Sequence, residues 1–473
     1  MSIKPFFIIM LILFFCSAFC INIGGSFLPL FIVFELILLF LILIFDNNHF
    51  FSKLVKAYRY TPFKYFLWFC LWCLITTLIS IVSGYFNPKG VVMAIGGGFL
   101  LSLFVPYILT LYGLKRIISL KNLIKFITII LFSIFLLGIF DFIIFYCHLT
   151  FLENIFTIII NKRSIISGVE FSKAGVFGVP RVQSIFEEPS FLGFFILLTS
   201  PFLYSLCLSK NKIFNNKSVD KFLKKSTLIL APINLVLTQS PMYLFLCFVV
   251  SVTFFLYRSI RKNPKKFILT SSYIALAIIT FLFVYINIPE YLPKSMINIE
   301  GTYLMRVVKT IESIESFDLL IYAEPSLATR IISYVNMCII GFKNIVFGVG
   351  YGNLSGIIAK QLLNSPLPLT SEALLFAQHG STSIPGSIIY RLFSETGLPG
   401  LLLFLYFAFR SVKIIDVVKS KFTFIEKDFL IGLKYCLTFL IVFSFYDSNI
   451  HYPVLWFLFA LVPGIVLITR EKQ

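Results

Sequence analysis

The chain has 473 residues, of which 59% are hydrophobic, 18% aromatic and 13% charged. A soluble globular domain carries about 25% charged residues, so this composition excludes one, and repeated apolar runs of roughly 20 residues point to a polytopic α-helical membrane protein. The net charge of +19 would suggest nucleic acid in a soluble protein, but the Lys and Arg here sit in short loops between apolar runs, where topology and anionic lipid account for them.

In chain order, an apolar run over residues 5–21 follows Lys4. It resembles a signal peptide, lacks a small-x-small cleavage site before Asn22, and reads as an uncleaved first span. A tight turn at residues 22–26 leads to span 2 (27–45) and a basic loop with Lys53, Lys56, Arg59 and Lys64. Spans 3 (65–83), 4 (91–112) and 5 (126–147) follow, and residues 96–98 are a glycine triplet that permits close helix approach or a kink. Cys70 and Cys73 form a C-x-x-C inside span 3, where a pair of thiols is a packing feature rather than a redox site. Residues 148–187 are polar but studded with Ile, Phe and Val, a first large external loop.

Span 6 (188–208) and a lysine-rich loop (209–225) precede two short apolar runs, 226–238 and 241–257. The first is too short to cross alone at 1.5 Å per residue, which predicts a broken-helix pair lining a cavity. Span 9 covers 267–286. Residues 287–383 form a second, larger external loop with two helical patterns, one around Ile311, Ile314 and Phe317 and one over 328–342. Spans 10 (384–409), 11 (429–446) and 12 (452–469) close the chain. The expected fold is all-α, a single polytopic membrane domain over 1–473 with about twelve transmembrane helices. Counting sides from a cytoplasmic N-terminus gathers most of the 40 Lys and Arg on the cytoplasmic side, with both termini there and both large loops outside.

Chemistry is expected on the external face. The segment RVQSIFEEPSFLG (181–193) puts Arg181, Glu187 and Glu188 at the mouth of span 6. Charges at such a mouth are costly and mark function, or they are anchors that snorkel to the headgroups. Arg330 lies on the helical pattern of the second loop. FGVGYGN (347–353) is a glycine-rich turn that lets backbone approach something; no βαβ unit exists to make it a dinucleotide fingerprint. Arg391 and Glu395 lie four apart in span 10, on one helix face, as a structural ion pair or as part of a site. His379 is a candidate base. The four histidines (His49, His148, His379, His451) show no metal-ligand spacing, and nothing calls for a cofactor. Arginines beside carboxylates suit a lipid diphosphate: guanidinium forks pair with phosphate oxygens and keep their charge. A carboxylate such as Glu188 could take a proton from an attacking sugar hydroxyl, while the arginines stabilise the diphosphate leaving group.

At these residues the sequence resembles the O-antigen and polysaccharide repeat-unit polymerases (the Wzy type) and the related O-antigen ligases. The likeness rests on RVQSIFEEPSFLG, on ILAPINLVLTQSPMYLFL (229–246), on ATRIISYVNMCIIGFKNIVFGVGYGN (328–353) and on SIIYRLFSETGLPGLLLFL (387–405). It covers about the C-terminal two thirds. The resemblance implies a GT-C-like, metal-independent glycosyltransferase of the external face of a bacterial inner membrane. Such an enzyme joins undecaprenyl-diphosphate-linked oligosaccharides into O-antigen or capsular polysaccharide, alongside a flippase and a chain-length regulator. Arg181, Arg330 and Arg391 would bind diphosphate, and Glu188, Glu187 or His379 would supply the base. Ser240-Pro241 stands where the family often has Ser-Arg. The ligases' histidine, nine or so residues before the span-10 glutamate, would fall near Gly386, and His379 is further back, which favours polymerase over ligase. A flippase or other transporter of lipid-linked oligosaccharide is the alternative from a different class.

Overall fold

The computed structural model describes residues 4–15, 20–23, 26–85, 103–149, 189–207, 209–238, 325–379, 387–445 and 453–470, with isolated positions 88, 151–152, 182, 184, 186 and 321. These residues are almost wholly helical. The exception is a short antiparallel ribbon of β1 (Cys20–Ile23) and β2 (Ser26–Pro29), with Ile23 opposite Ser26, which flanks the turn expected there. Spans assigned at 241–257 and 267–286, and the helical pattern around Ile311, fall outside the described residues.

The first helix, α1 (Lys4–Phe15), precedes the ribbon. Its 12 described residues reach about 18 Å. After α2 (Leu30–Phe45) the chain turns by 104° into α3 (Asn47–Tyr60). The basic stretch read as a loop is therefore a helix, held by burial of Phe50 and Ala57 on one face. Asp46, at the bend, accepts hydrogen bonds from the Tyr112 hydroxyl and from Arg116 Nε at 3.2 Å. Lys53 Nζ donates to the Tyr112 carbonyl at 2.9 Å and to the Leu114 carbonyl at 2.5 Å, the latter one of those left open at the end of α5 (Val105–Arg116).

Among the described residues two helices, α4 (Phe63–Val82) and α6 (Leu120–Tyr146), are long and apolar enough to cross a membrane, and the bent pair α2–α3 would make a third. Next come α7 (Pro189–Phe202), which ends in a π-helical turn at Leu203–Cys207, and α8 (Lys217–Leu237). The latter corrects the short pair: the 226–238 run is the second half of one 21-residue helix that starts inside the lysine-rich stretch. Asn216 caps it by accepting from the Ser218 and Val219 amides at 2.9 and 3.3 Å. Asp220 accepts from the Ile213 amide at 2.7 Å and pairs with Lys224 at 3.2 Å. Those caps make lysine-bearing chain helical where composition alone reads loop.

A compact cap follows, formed by α9 (Pro325–Lys343), α10 (Leu354–Leu363) and α11 (Ser371–His379). It has its own apolar centre of Ile332, Met337, Ile340, Ile358 and Leu362, with Tyr85 and Tyr390 packed against it. The helical pattern expected over 328–342 is α9. The long helix α12 (Ile388–Val418) is broken at Gly397; α13 (Phe424–Phe443) and α14 (Pro453–Arg470) complete the bundle. The core is built around α14, buried from Val454 to Ile468 and packed against α5, α12, α3 and α1. Phe66, Tyr107, Phe407 and Trp456 form its aromatic centre, with Phe66 and Tyr107 stacked at 4.0 Å. Among apolar helices, such close packing, rather than transfer from water, is what holds the bundle.

Candidate anion site at the broken helix

The N-terminal half of α12 is fixed at both ends by backbone chemistry. Ser387 caps it, accepting from the Ile389 amide at 3.2 Å, and donates its hydroxyl to the Ser444 carbonyl at 2.7 Å. The Ile389 amide also donates to that carbonyl, at 3.1 Å. Nine residues after Ile388 the helix opens at Gly397, with φ 68° and ψ −175°. Opening a helix orphans amides and carbonyls, and in an apolar bundle each needs a protein partner.

The glycine-rich turn supplies them. Val349 N–H donates to the Ser394 carbonyl and Gly350 N–H to the Glu395 carbonyl, both at 2.9 Å, and Leu398 N–H donates to the Ile345 carbonyl at 2.8 Å. The Trp72 indole N–H donates to the Thr396 carbonyl at 2.8 Å. Two glycines make the approach possible. A Cβ on Gly397 would stand 2.3 Å from the Val346 carbonyl oxygen, and one on Gly348 2.4 Å from the Glu395 carbonyl carbon. Both also hold positive φ, which side chains disfavour. The far side of the turn is pinned to α4: Asn353 Nδ2 donates to Ser80 Oγ at 2.7 Å, and Thr77 Oγ1 to the Tyr351 carbonyl at 3.1 Å. What the turn approaches is thus the opened backbone of α12, and it is a fixed part of the bundle.

Arg391 and Glu395 sit on the segment so held. Arg391 Nε lies 3.3 Å from Glu395 Oε1; the glutamate side chain is 1% exposed and the arginine 20%. Among the described residues the terminal nitrogens of Arg391 make no hydrogen bond, which leaves a guanidinium edge oriented from below by a buried carboxylate. An anion arriving at that edge would meet a fork of donors. Ser394 Oγ donates to the Met337 carbonyl at 2.7 Å, and Tyr334 packs its ring 5.0 Å from Tyr390. Arg330 stands one turn before Tyr334 on the same face of α9. The two helices that pack together therefore carry Arg330 and Arg391.

The segment before span 6 is represented by Val182, Ser184 and Phe186, all buried. Val182 N–H donates to the Leu237 carbonyl at 3.0 Å. Ser184 N–H donates to Asp141 Oδ2 at 3.0 Å, and Ser184 Oγ to the Ile134 carbonyl at 2.9 Å. This stretch is bound to both α6 and α8. Where it enters α7, Phe194 packs on Phe443 at 4.7 Å, beside the Ser444 carbonyl that holds α12. Arg181, Glu187 and Glu188 themselves lie outside the described residues. His379 closes α11, and its side chain is likewise outside the description.

Buried polar residues that escaped the sequence reading include Asp141 on α6, Asn234 on α8 and Glu35 on α2. Asn234 Nδ2 donates to the Phe135 carbonyl at 2.8 Å, and Gly138 gives it room, since a Cβ there would stand 1.8 Å from Asn234 Oδ1. The signal available for all three was a single polar residue within an apolar run. No protein-family model matches the chain, and no curated protein matches it.

Proposed function

We propose that the chain is a membrane glycosyltransferase of the repeat-unit polymerase kind, extending a polysaccharide from undecaprenyl-diphosphate-linked oligosaccharides. In this reading it is a GT-C-like bundle of about twelve spans in a bacterial inner membrane, with both termini cytoplasmic. The end carrying Arg330 and Arg391 faces outward. The observation that carries it is the Arg391 guanidinium, braced by buried Glu395 on a helix segment whose break is filled by the glycine-rich turn. A braced guanidinium beside the cap bearing Arg330 suits a diphosphate whose charge grows as it leaves. Arg181 would join them from the segment leading into α7, and Glu188 would serve as base toward the acceptor hydroxyl.

The test is incubation of purified protein with a defined lipid-diphosphate oligosaccharide, followed by sizing of the products. Polymer from the wild type, with loss of at least 100-fold in Arg330→Ala and Arg181→Ala at unchanged membrane content, is the expected result; removing one transition-state contact typically costs about that much. Wild-type chain lengths in both variants would reject the reading. Transfer of substrate across vesicles at unchanged length would replace it with a flippase. Glu188→Gln with unaltered turnover would remove that residue from the mechanism.

A further inference from the structure

Helix α3 carries three strips at successive positions. Phe50, Leu54 and Ala57, spaced i, i+4 and i+7, face the bundle. One position on, Phe51, Val55 and Tyr58 form an apolar strip that is exposed at 56%, 52% and 43%. One further on, Ser52, Lys56 and Arg59 form an exposed polar strip with two cations. The helix thus presents, in order around its surface, protein contact, bare apolar surface and positive charge. Its 104° turn away from α2 is locked by Asp46 and Lys53. Phe40, Ile44 and Phe45 toward the end of α2 are exposed as well. Arg470, at the end of α14, sits 4.2 Å over the Tyr60 ring and adds a cation at the same end.

We propose that α3 lies in the plane of the bilayer surface and binds anionic phospholipid headgroups, with Phe51, Val55 and Tyr58 in the acyl region and Lys56 and Arg59 at the phosphates. An apolar strip flanked by cations is the pattern of an in-plane helix, and basic side chains next to a span attract anionic lipid. The charge pattern selects a lipid occupant over a protein one, because the cations border the apolar strip on the side away from the bundle. This site stands apart from the glycosyltransferase reading.

The experiment places a bimane label on Val55→Cys, in a variant whose nine native cysteines are replaced by alanine, and reconstitutes the full chain in vesicles. Nitroxide-labelled phosphatidylglycerol and nitroxide-labelled phosphatidylcholine are added at equal mole fraction. Both should quench, with relative association of the anionic lipid higher by about fivefold, and the preference should fall to parity in Lys56→Gln/Arg59→Gln and in about 0.5 M salt, where screening is strong. Absence of quenching by either lipid would mean that protein or a second copy covers the face, and would overturn the proposal. Equal quenching by the two lipids in the parent would overturn it as well. Thermal unfolding of the double variant, expected at the parent midpoint, separates lost lipid contact from misfolding.

Discussion

Arg391 and Glu395 are joined by one contact in a nearly dry setting, and that contact decides how each can be tested. Removing the arginine alone leaves a carboxylate 1% exposed with no counter-charge, and breaking a buried pair costs about 3–5 kcal/mol. Arg391→Met should therefore lower the thermal midpoint in detergent, whereas Arg391→Met/Glu395→Leu should recover most of the loss because no charge is left buried. Both should be inactive in the polymer assay. A stable, inactive double variant separates binding from folding; a double variant no more stable than the single would show that the pair is not what the glutamate needs. The spacing of these residues was legible in the sequence, since four positions make one helix face. The orientation of the guanidinium was not, because Glu395 is held by backbone bonds from residues some forty-five positions earlier.

At the scale of elements, α12 and the glycine-rich turn are one construction. Neither could be read alone: the turn looks like a loop, and the helix looks continuous through Gly397-Leu-Pro399. Gly397→Ala should destabilise the protein by more than the about 1–2 kcal/mol that positive φ costs, since its Cβ would also meet Val346. Gly84→Ala is the matched comparison: φ is +74° with nothing within 4 Å of the new carbon. Limited proteolysis should open the 325–379 cap in the first variant and spare it in the second. Equal susceptibility would mean the docking contributes little. Helix α8 teaches the same lesson from the other direction. Its lysine-rich first half was readable only as loop, because the Asp220 bonds to the Ile213 and Phe214 amides that start it depend on how the preceding turn folds back.

For the whole molecule, the described helices sort their charged ends. Arg116, Lys419 and Arg470 lie at the ends of α5, α12 and α14 that share one side, while Ser387, Ser444 and the cap share the other. This follows from pairings along the bundle: Ile388, Ser444 and Leu455 come together at one end, and Arg470 meets Tyr60 at the opposite one. On the proposed orientation, with the basic side cytoplasmic, Lys360→Cys in the cap should react with an impermeant maleimide on intact spheroplasts, in a background with the nine native cysteines replaced by alanine. Lys421→Cys should react only after permeabilisation. The reverse pattern would invert the molecule and place the candidate site in the cytoplasm.

Apolar helices long enough to cross a membrane, the helical reading of 328–342 and the placing of Arg391 and Glu395 on one helix face were all set by the sequence on its own. Each depends on composition or on residues within a turn or two of one another, so a local reading suffices. The bend at Asp46, the continuity of α8, the opening of α12 and the anchoring of Ser184 to Asp141 were decided only by tertiary structure. In each, a backbone or buried polar group finds its partner on a distant segment, and a helix in an apolar bundle can end, bend or open only where such a partner waits.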